Sequence, residues 1–422
     1  MYSADTPSFV PRGSRSISTL PSFVTKDRTL TLSWSDAGVN ETSTAAPHKS
    51  SFNYTWLRDH CQCPACVHPD TRQKLHSSAD IPLDVKPTSI EVGSSPTPSV
   101  RIVWEDKPLV GRIGGPQGPH ISVFDLAWLR KQDYDPAAVL ARDREAMKIV
   151  PWDRAMLEKD TVGGLWSDYE SFMKTDEGQR TVLEQMYLYG LAFLRGVPVN
   201  EQAIEGLCER LGTHVQETFY GKTFDVKSVP KANNIAYTSL YLGLHMDLMY
   251  FESPPGLQLL HSLQNTVTGG SSFFSDSFAA AERLRTAHPD EFAALTQVPV
   301  TFHYDNNGHH LRFRHPTISD YDGNEPMRVY YAPPFQGTLE CEPEMVDTWY
   351  RAFARFREFT ERPEMLYTHR LEPGECVIFN NRRVLHARDE FDPMSGDRFL
   401  KGAYVLWDAF KDKYRVHVQR HK

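Results

Sequence analysis

Residues 257–263 read LQLLHSL and residues 375–379 read ECVIF. Both are short runs of mostly apolar residues, and such runs predict buried β-strands. Similar strand-like runs occur at residues 190–195, 272–275, 298–304, 328–331 and 399–407. Residues 277–295 have the spacing that predicts the one clear helix among the later runs. Many short strands with few helices favour a β-sandwich or jelly roll over alternating β-α-β units, so we predict a mainly β fold with helices, of the α+β class.

The N-terminal part of the chain has a different pattern. Residues 29–34 (TLTLSW) alternate apolar and polar side chains as a half-buried strand does, and residues 90–104 contain two more β-like runs. Residues 123–130 have helical spacing. A chain of 422 residues exceeds the usual size of one domain. We expect three parts, namely a tail or targeting segment (1–28), a small β domain (29–135) and a larger domain (136–422).

Composition excludes several classes of protein. A net charge of −8 argues against a nucleic-acid-binding surface. No apolar run approaches the ~20 residues that a membrane-spanning helix needs, so we expect no membrane partner. The first 26 residues are rich in serine, with Arg12, Arg15 and Lys26 against the single acid Asp5. A mitochondrial presequence and a plain tail both fit this segment, so the compartment stays open between cytoplasm and mitochondrion.

Three cysteines, Cys61, Cys63 and Cys66, lie within six residues. Thiolates this close repel one another unless a cation lies between them, and Zn²⁺ takes four such ligands tetrahedrally. Spacing alone leaves four candidates for the fourth ligand: His60, His68, His76 and His120. We favour a closed structural zinc site over unrelated thiols or a redox pair, because apolar packing gives no reason to crowd thiols together.

The segment Leu244-His245-Met246-Asp247 precedes the run at 257–263. Residues two apart on an extended chain point to the same side, so the imidazole and the carboxylate can bind one metal ion. A second histidine would complete the two-histidine, one-carboxylate arrangement that suits Fe(II) and leaves coordination positions open. The pair alone has little specificity. Spacing leaves His303 and Asp305 as a competitor.

The late segment ECVIFNNRRVLH (residues 375–386) offers the best third ligand, His386, at the end of an apolar run. Arg398 follows in the next strand-like run. A buried arginine fork suits the distal carboxylate of 2-oxoglutarate. An arginine by itself more often forms a surface ion pair, but its pairing with His386 favours the functional interpretation.

These motifs together resemble those of the γ-butyrobetaine and trimethyllysine dioxygenase family, within the wider taurine-dioxygenase-like group. The matching segments cover most of the chain beyond its first 50 residues: WLRDHCQCPAC (56–66), HISVFDLAWL (120–129), TFYGKTF (218–224), NNIAYTS (233–239), LHMD (244–247), PPGLQLLHSLQNTVTGG (254–270), FNNRRVLHARDEF (379–391) and RFLKGAYVLWD (398–408).

The resemblance implies a double-stranded β-helix (jelly roll) catalytic domain behind a small N-terminal zinc-binding β domain, commonly as a homodimer. It implies zinc ligands Cys61, Cys63, Cys66 and His120, and iron ligands His245, Asp247 and His386. Arg398 and Ser272 would bind the co-substrate. The implied cofactors are Fe(II), 2-oxoglutarate, dioxygen and structural zinc, with ascorbate as a further candidate.

Family members bind a trimethylammonium group in an aromatic cage, because ring faces attract a desolvated cation. The resemblance implies that the substrate contacts Tyr220, Phe224, Asn234, Tyr237 and Tyr404. Phe224 stands where the family usually has tryptophan, and Asn234 fits the butyrobetaine-type motif. Ala332 and Pro333 replace an asparagine pair that relatives carry near the substrate.

Three functional hypotheses follow. The leading one is hydroxylation of γ-butyrobetaine to carnitine, with a small molecule as the only partner besides a second copy of the chain. The second keeps the chemistry but changes the substrate to another small amino acid or amine, with hydroxylation, desaturation or ring closure as the outcome. The third is a non-catalytic zinc scaffold, which the presence of all three candidate iron ligands disfavours.

Overall fold

The computed structural model describes residues 20–34, 48–94, 97–105, 119–146, 149–159, 164–227, 237–320 and 327–418. The chain divides into two compact units, residues 1–143 and 144–422. Among the described residues, no helix combines the length and apolar character needed to cross a bilayer.

The first unit is built from two three-stranded antiparallel sheets. Its strands are β1 (Ser22–Lys26), β2 (Thr29–Trp34), β3 (His48–Asn53), β4 (Pro87–Gly93), β5 (Ser99–Trp104) and β6 (Ile121–Asp125), in the orders β1-β2-β3 and β4-β5-β6. Its helices are α1 (Tyr54–Asp59), α2 (Leu126–Lys131) and α3 (Pro136–Ala146), and the division between the units falls within α3. The middle strands β2 and β5 bury every second residue, ending in the buried Trp34 and Trp104.

The second unit contains the two main sheets. Its strands are β7 (Trp166–Asp168), β8 (Leu191–Arg195), β9 (Thr223–Val226), β10 (Leu242–His245), β11 (Leu257–Asn265), β12 (Thr268–Gly269), β13 (Ser272–Asp276), β14 (Pro299–Asn306), β15 (His309–Pro316), β16 (Ile318–Ser319), β17 (Arg328–Val329), β18 (Tyr367–His369), β19 (Cys376–Asn380), β20 (Val384–Arg388), β21 (Phe391–Asp392) and β22 (Arg398–Val405). Its helices are α4 (Arg154–Lys159), α5 (Tyr169–Lys174), α6 (Asp176–Leu188), α7 (Ala203–Leu211), α8 (Ser277–Ala287), α9 (Pro289–Gln297), α10 (Val346–Thr360) and α11 (Trp407–His417).

A six-stranded sheet of order β7-β8-β19-β11-β22-β9 faces a four-stranded sheet of order β10-β20-β13-β18. Alternate residues of the large sheet pack in two directions. Leu257, Leu259 and Ile378 contact the side chains of α6, α7 and α11, whereas Leu260 and Phe379 share a core with Phe274 and Val384 of the small sheet. The large sheet is therefore buried on both faces, and the two sheets form a jelly roll, which confirms the α+β jelly-roll prediction.

Some predicted elements were wrong in detail. Residues 123–125 belong to β6, and the helix begins only at Leu126, with Asp125 as its N-cap. The helix expected at 277–295 is two helices, because His288 ends α8 before Pro289 begins α9. The strand expected at 399–407 ends at Val405, and Trp407 begins α11.

The 15-residue helix α10 was missed, although Trp349, Ala352, Phe356 and Phe359 are buried on it at helical spacing.

Candidate metal centre and ligand cavity

Strand pairing brings two distant histidines together. His245 ends β10 and is the direct Cα partner of His386 on β20, with their ring centroids 4.1 Å apart. Asp247 follows two residues after His245. Its Oδ1 lies 3.4 Å from Nε2 of His245 and 3.9 Å from Nε2 of His386. One ligand atom from each of the three residues therefore lies within 4.8 Å of the other two.

Backbone and side-chain contacts fix this group. Nδ1 of His245 lies 2.8 Å from the carbonyl oxygen of Gly243, which assigns the proton to Nδ1 and leaves Nε2 free to bind a metal. The amide of Asn381 pairs with the backbone of Asp247 in both directions, accepting from its N–H at 2.8 Å and donating to its carbonyl at 2.9 Å. The next residue, Leu248, has φ 59°. This left-handed conformation costs about 1–3 kcal/mol, so the turn after Asp247 is held by its surroundings.

The electrostatics favour a divalent cation. Burial alone would raise the pKa of Asp247, but its contacts with His245, His386 and the hydroxyl of Tyr404 outweigh burial and lower that pKa. Burial and the nearby His245 lower the pKa of His386 to about 3. At neutral pH the group therefore presents one carboxylate and a neutral His386, which is the protonation state that metal binding requires.

The rival pair lies elsewhere. His303 and Asp305 are on β14, and both are exposed to solvent. Asp305 contacts only another exposed residue among the ion pairs that the structure describes, His310 at 3.4 Å. Of the described residues, only two groups can gather three metal-binding side chains, and neither contains His303.

A cavity of about 750 Å³, including its open mouth, adjoins the three residues. Arg398 and Ser272 line it, as do four of the expected cage residues: Tyr220, Phe224, Tyr237 and Tyr404. Asn234 lies outside the described residues. The lining residues that sequence reasoning missed include Tyr250, Gln258, Phe335 and Arg388.

The cavity has a cationic part. Arg398 is 8% exposed, and its Nε has no hydrogen-bond partner among the described residues. Burial, together with the charges of Arg388 and Arg370, lowers the pKa of Arg398 to about 9. Arg388 and Arg398 both lie over the ring of Phe391, at 5.1 and 5.5 Å from its centroid. Two buried guanidinium groups on one side of a cavity are suited to a carboxylate.

The cavity also has an aromatic part. The centroid of Tyr220 lies 6.3 Å from that of Phe224 and 6.5 Å from that of Tyr237, and Phe224 stacks on Tyr404 at 4.9 Å. Phe224 reaches this position because its Cα partner on β22 is Gly402, where an added Cβ would lie 2.3 Å from the ring. The four rings form a continuous aromatic wall, which we call the ring wall.

The cysteine cluster of the first unit gathers around one histidine. Nε2 of His120 lies 3.3 Å from the sulfur of Cys61, 3.8 Å from that of Cys63 and 3.6 Å from that of Cys66. Hydrogen bonding from Cys61, together with His120 and the guanidinium of Arg58, lowers the pKa of Cys66 well below that of a free thiol. Arg58 donates to the Cys66 sulfur at 3.4 Å.

The other three candidate histidines have different partners. His60 stacks on Trp56 at 4.2 Å, His76 lies 3.2 Å from Asp59, and Nδ1 of His68 accepts from the backbone of Asp70.

A jelly roll whose interior holds two histidines and a carboxylate beside a buried arginine defines the class of Fe(II)- and 2-oxoglutarate-dependent dioxygenases. Comparison with known sequences identifies the family. The sequence model of the family "Taurine catabolism dioxygenase TauD, TfdA family" matches residues 161–404, and that of "Gamma-butyrobetaine hydroxylase-like, N-terminal" matches residues 22–111. The chain belongs to the TauD/TfdA dioxygenase family and is a 2-oxoglutarate-dependent dioxygenase.

Three curated relatives match nearly the whole chain. Dioxygenase str8 of Strobilurus tenacellus is 38% identical, over 88% of this chain and 86% of its own. The gamma-butyrobetaine dioxygenase of Pseudomonas sp. (strain AK-1) is 33% identical, over 87% and 90%. The trimethyllysine dioxygenase of Meyerozyma guilliermondii is 32% identical, over 87% and 90%.

Proposed function

We propose that this dioxygenase hydroxylates a small acid bearing a quaternary ammonium group, with γ-butyrobetaine as the leading candidate and carnitine as its product. One observation carries the proposal: the ring wall and the group His245, Asp247 and His386 line the same cavity. A cation held against the rings would present its neighbouring carbon atoms to the metal centre. Relatives named for γ-butyrobetaine and trimethyllysine, both quaternary ammonium compounds, support this substrate class.

In this proposal Fe(II) is bound by His245, Asp247 and His386. The donor set fits that ion, because two imidazole nitrogens and one carboxylate oxygen leave coordination positions open for a chelating co-substrate. Bound iron, together with 2-oxoglutarate and dioxygen, supplies the oxidant. The chain itself orients the ligands, excludes water and holds the two organic molecules in place.

Arg398 and Ser272 would bind the distal carboxylate of 2-oxoglutarate. The buried, unpartnered Nε of Arg398 supports this role, since a buried guanidinium gains most from an anion that completes its hydrogen bonds. Both residues lie on strands of the jelly roll, β22 and β13, and are therefore held in fixed positions. The apolar side chains of Leu260 and Leu400, which line the same cavity, would border the co-substrate's methylene groups.

The ring wall would attract the trimethylammonium group through cation–π interactions, worth about 0.5–2 kcal/mol per well-placed ring. Phe224 gives a weaker cation–π surface than tryptophan. The stack of Phe224 on Tyr404 nevertheless keeps both rings at the cavity surface.

A matched pair of compounds tests the substrate class. γ-Butyrobetaine should increase succinate formation by the iron-loaded enzyme and yield a product heavier by one oxygen. The uncharged analogue in which carbon replaces the quaternary nitrogen has nearly the same shape and should give little stimulation. If neither compound raises succinate formation above the substrate-free rate, γ-butyrobetaine is not the substrate.

A specific observation favours a second candidate, another small amino acid or amine. Ala332 is buried at the start of a 3-10 turn, Pro333–Phe335, and Phe335 lines the cavity. Alanine and proline at this point supply no side-chain donor for a substrate carboxylate. A screen of amines and amino acids by succinate release separates this candidate from the first.

We also propose that Cys61, Cys63, Cys66 and His120 bind a structural zinc ion. A tetrahedral zinc with bonds of about 2.3 Å to sulfur and about 2.0–2.1 Å to nitrogen needs N···S separations of about 3.5 Å. The three separations from His120 scatter about that value, at 3.3, 3.8 and 3.6 Å. Elemental analysis of purified protein should therefore give one zinc per chain.

The homodimer, the use of ascorbate and the cytoplasmic or mitochondrial compartment stay predictions from the resemblance and the sequence. Sedimentation analysis of the purified protein tests the first, and omission of ascorbate from the assay tests the second.

A further inference from the structure

The two carboxylate oxygens of Asp247 have different surroundings. Oδ1 faces the imidazole nitrogens of His245 and His386, at 3.4 and 3.9 Å. Oδ2 instead accepts a hydrogen bond of 2.8 Å from the hydroxyl of Tyr404. The structure therefore distinguishes an oxygen directed toward the metal centre from an oxygen held by a phenol.

Tyr404 is well placed to act on Asp247, because its ring is fixed independently of the carboxylate. It is 2% exposed on β22, and its Cα partner on β11 is Gln258. Its ring stacks on Phe224 at 4.9 Å with an interplanar angle of 26°. One side chain thus contributes its ring to the ring wall and its hydroxyl to the carboxylate.

We infer that Tyr404 is a positioning residue that keeps Asp247 a ligand through Oδ1 alone. The inference rests on the proposed iron site. A carboxylate that bound iron through both oxygens would occupy one of the three positions that a two-histidine, one-carboxylate site leaves open. The co-substrate needs two of those positions and dioxygen needs the third. By holding Oδ2, Tyr404 keeps the third position available.

The substitution Tyr404→Phe separates the two contributions of this residue. It keeps the ring and its stack on Phe224 but removes the donor to Oδ2. A matched control is Tyr237→Phe, which removes a phenol hydroxyl from the same cavity, one that makes no hydrogen bond to Asp247 among the described contacts. Far-UV circular dichroism checks that both variants keep their fold.

The experiment is an anaerobic titration of metal-free protein with Fe(II) at saturating 2-oxoglutarate, followed by the visible absorption of the complex. Removal of a residue that hydrogen-bonds to a metal ligand typically changes the metal affinity about 10- to 100-fold. We expect Tyr404→Phe to change the Fe(II) affinity by about 10-fold or more, and Tyr237→Phe to bind Fe(II) like the wild type. The position and intensity of the visible band at saturating iron should change only in Tyr404→Phe, because only there does the carboxylate coordination change.

The outcomes separate this inference from the proposed iron site. If the wild type binds iron, His245→Ala does not, and Tyr404→Phe matches the wild type in both affinity and spectrum, the positioning role is overturned and the iron site stands. If the wild type shows no more iron binding than His245→Ala, the proposed iron site fails and the positioning role fails with it.

Discussion

His245 and His386 lie far apart in the sequence of the second unit, yet they are direct cross-strand partners in the pairing of β10 with β20. Their rings lie 4.1 Å apart at centroid. The register of these strands thus places the two imidazoles side by side. The chain turns at Leu248, directly after Asp247, and the Asp247 carboxylate faces both imidazoles. This relationship is the basis of the proposed iron site.

Replacing His386 by alanine should abolish iron binding and 2-oxoglutarate turnover. The two ligands that remain, His245 and Asp247, do not retain Fe(II) in competition with water. The measurement is succinate formation together with the visible band of the anaerobic complex. His303→Ala is the matched control, since it removes a histidine of the same sequence pattern that lies exposed on β14. Equal losses in the two variants would contradict the assignment.

Arg398→Lys should raise the KM for 2-oxoglutarate while leaving the protein folded. Lysine keeps the charge but lacks the planar fork that binds a carboxylate through two hydrogen bonds. Charge-assisted hydrogen bonds are worth about 1.5–3 kcal/mol, so the expected increase is about 10- to 100-fold. Arg351→Gln, at a largely exposed guanidinium, serves as the control and should leave the KM unchanged.

Phe224→Leu should weaken binding of a quaternary ammonium substrate, because leucine retains apolar contact but has no ring face. The expected loss is about 2- to 30-fold in KM, equivalent to about 0.5–2 kcal/mol. The control is the affinity of the same variant for the co-substrate, measured without the ammonium compound, which should match that of the wild type. If the KM for the ammonium substrate is unchanged, Phe224 does not contact the ammonium group.

Cys66→Ser should remove the bound zinc and unfold the first unit at lower temperature than in the wild type, because a metal bound only by the folded state stabilises that state. Zinc content and thermal unfolding measure the two effects. His76→Ala is the matched control, because His76 contacts Asp59 rather than the cysteines. A Cys66→Ser protein that retains its full zinc content would contradict the assignment.

Because His261 is buried, we expect the free energy of unfolding to fall in mild acid. Its side chain is fully buried on β11, and neither ring nitrogen has a hydrogen-bond partner among the described residues. Burial lowers its pKa to about 4, below the ordinary value of 6.5. The unfolded chain therefore binds the extra proton first, and the free energy of unfolding should fall between about pH 6.5 and about pH 4, by up to about 3 kcal/mol.

Denaturant unfolding of the wild type and of His261→Leu at pH 7 and pH 5 tests this prediction. The variant should lose part of the acid sensitivity, since leucine takes up no proton. His310→Leu, at an exposed histidine, should keep the wild-type pH dependence. An identical pH dependence in His261→Leu and the wild type would contradict the role of His261.

Strand-like runs predicted a sandwich or jelly roll, and local motifs offered His245, Asp247 and His386. The remaining expected cavity residues came only from the family resemblance, namely Ser272, Tyr220, Phe224, Tyr237 and Tyr404. Arg388 was missed although a signal existed, because it follows His386 by two residues on one strand and so points to the same side. Gln258 could not be found in this way. It reaches the cavity through its register with Tyr404, and register between strands far apart in sequence is not encoded in either strand alone.

The cysteine cluster illustrates the same limit. Its three sulfurs lie on one short segment, so local spacing predicted them. His120 belongs to the set only because it directly precedes β6, which pairs with β5, and no local pattern distinguished it from His60, His68 or His76. The helix α10 was missed for another reason, since its many aromatic and charged residues obscured an amphipathic period that the sequence does contain.

The most direct measurement is an X-ray anomalous difference map, recorded at the iron edge, from crystals grown anaerobically with Fe(II) and 2-oxoglutarate. The proposed site requires one strong peak in the second unit, bound by Nε2 of His245, Oδ1 of Asp247 and Nε2 of His386. An iron peak at any other position, or none between these three atoms at full iron loading, would contradict it.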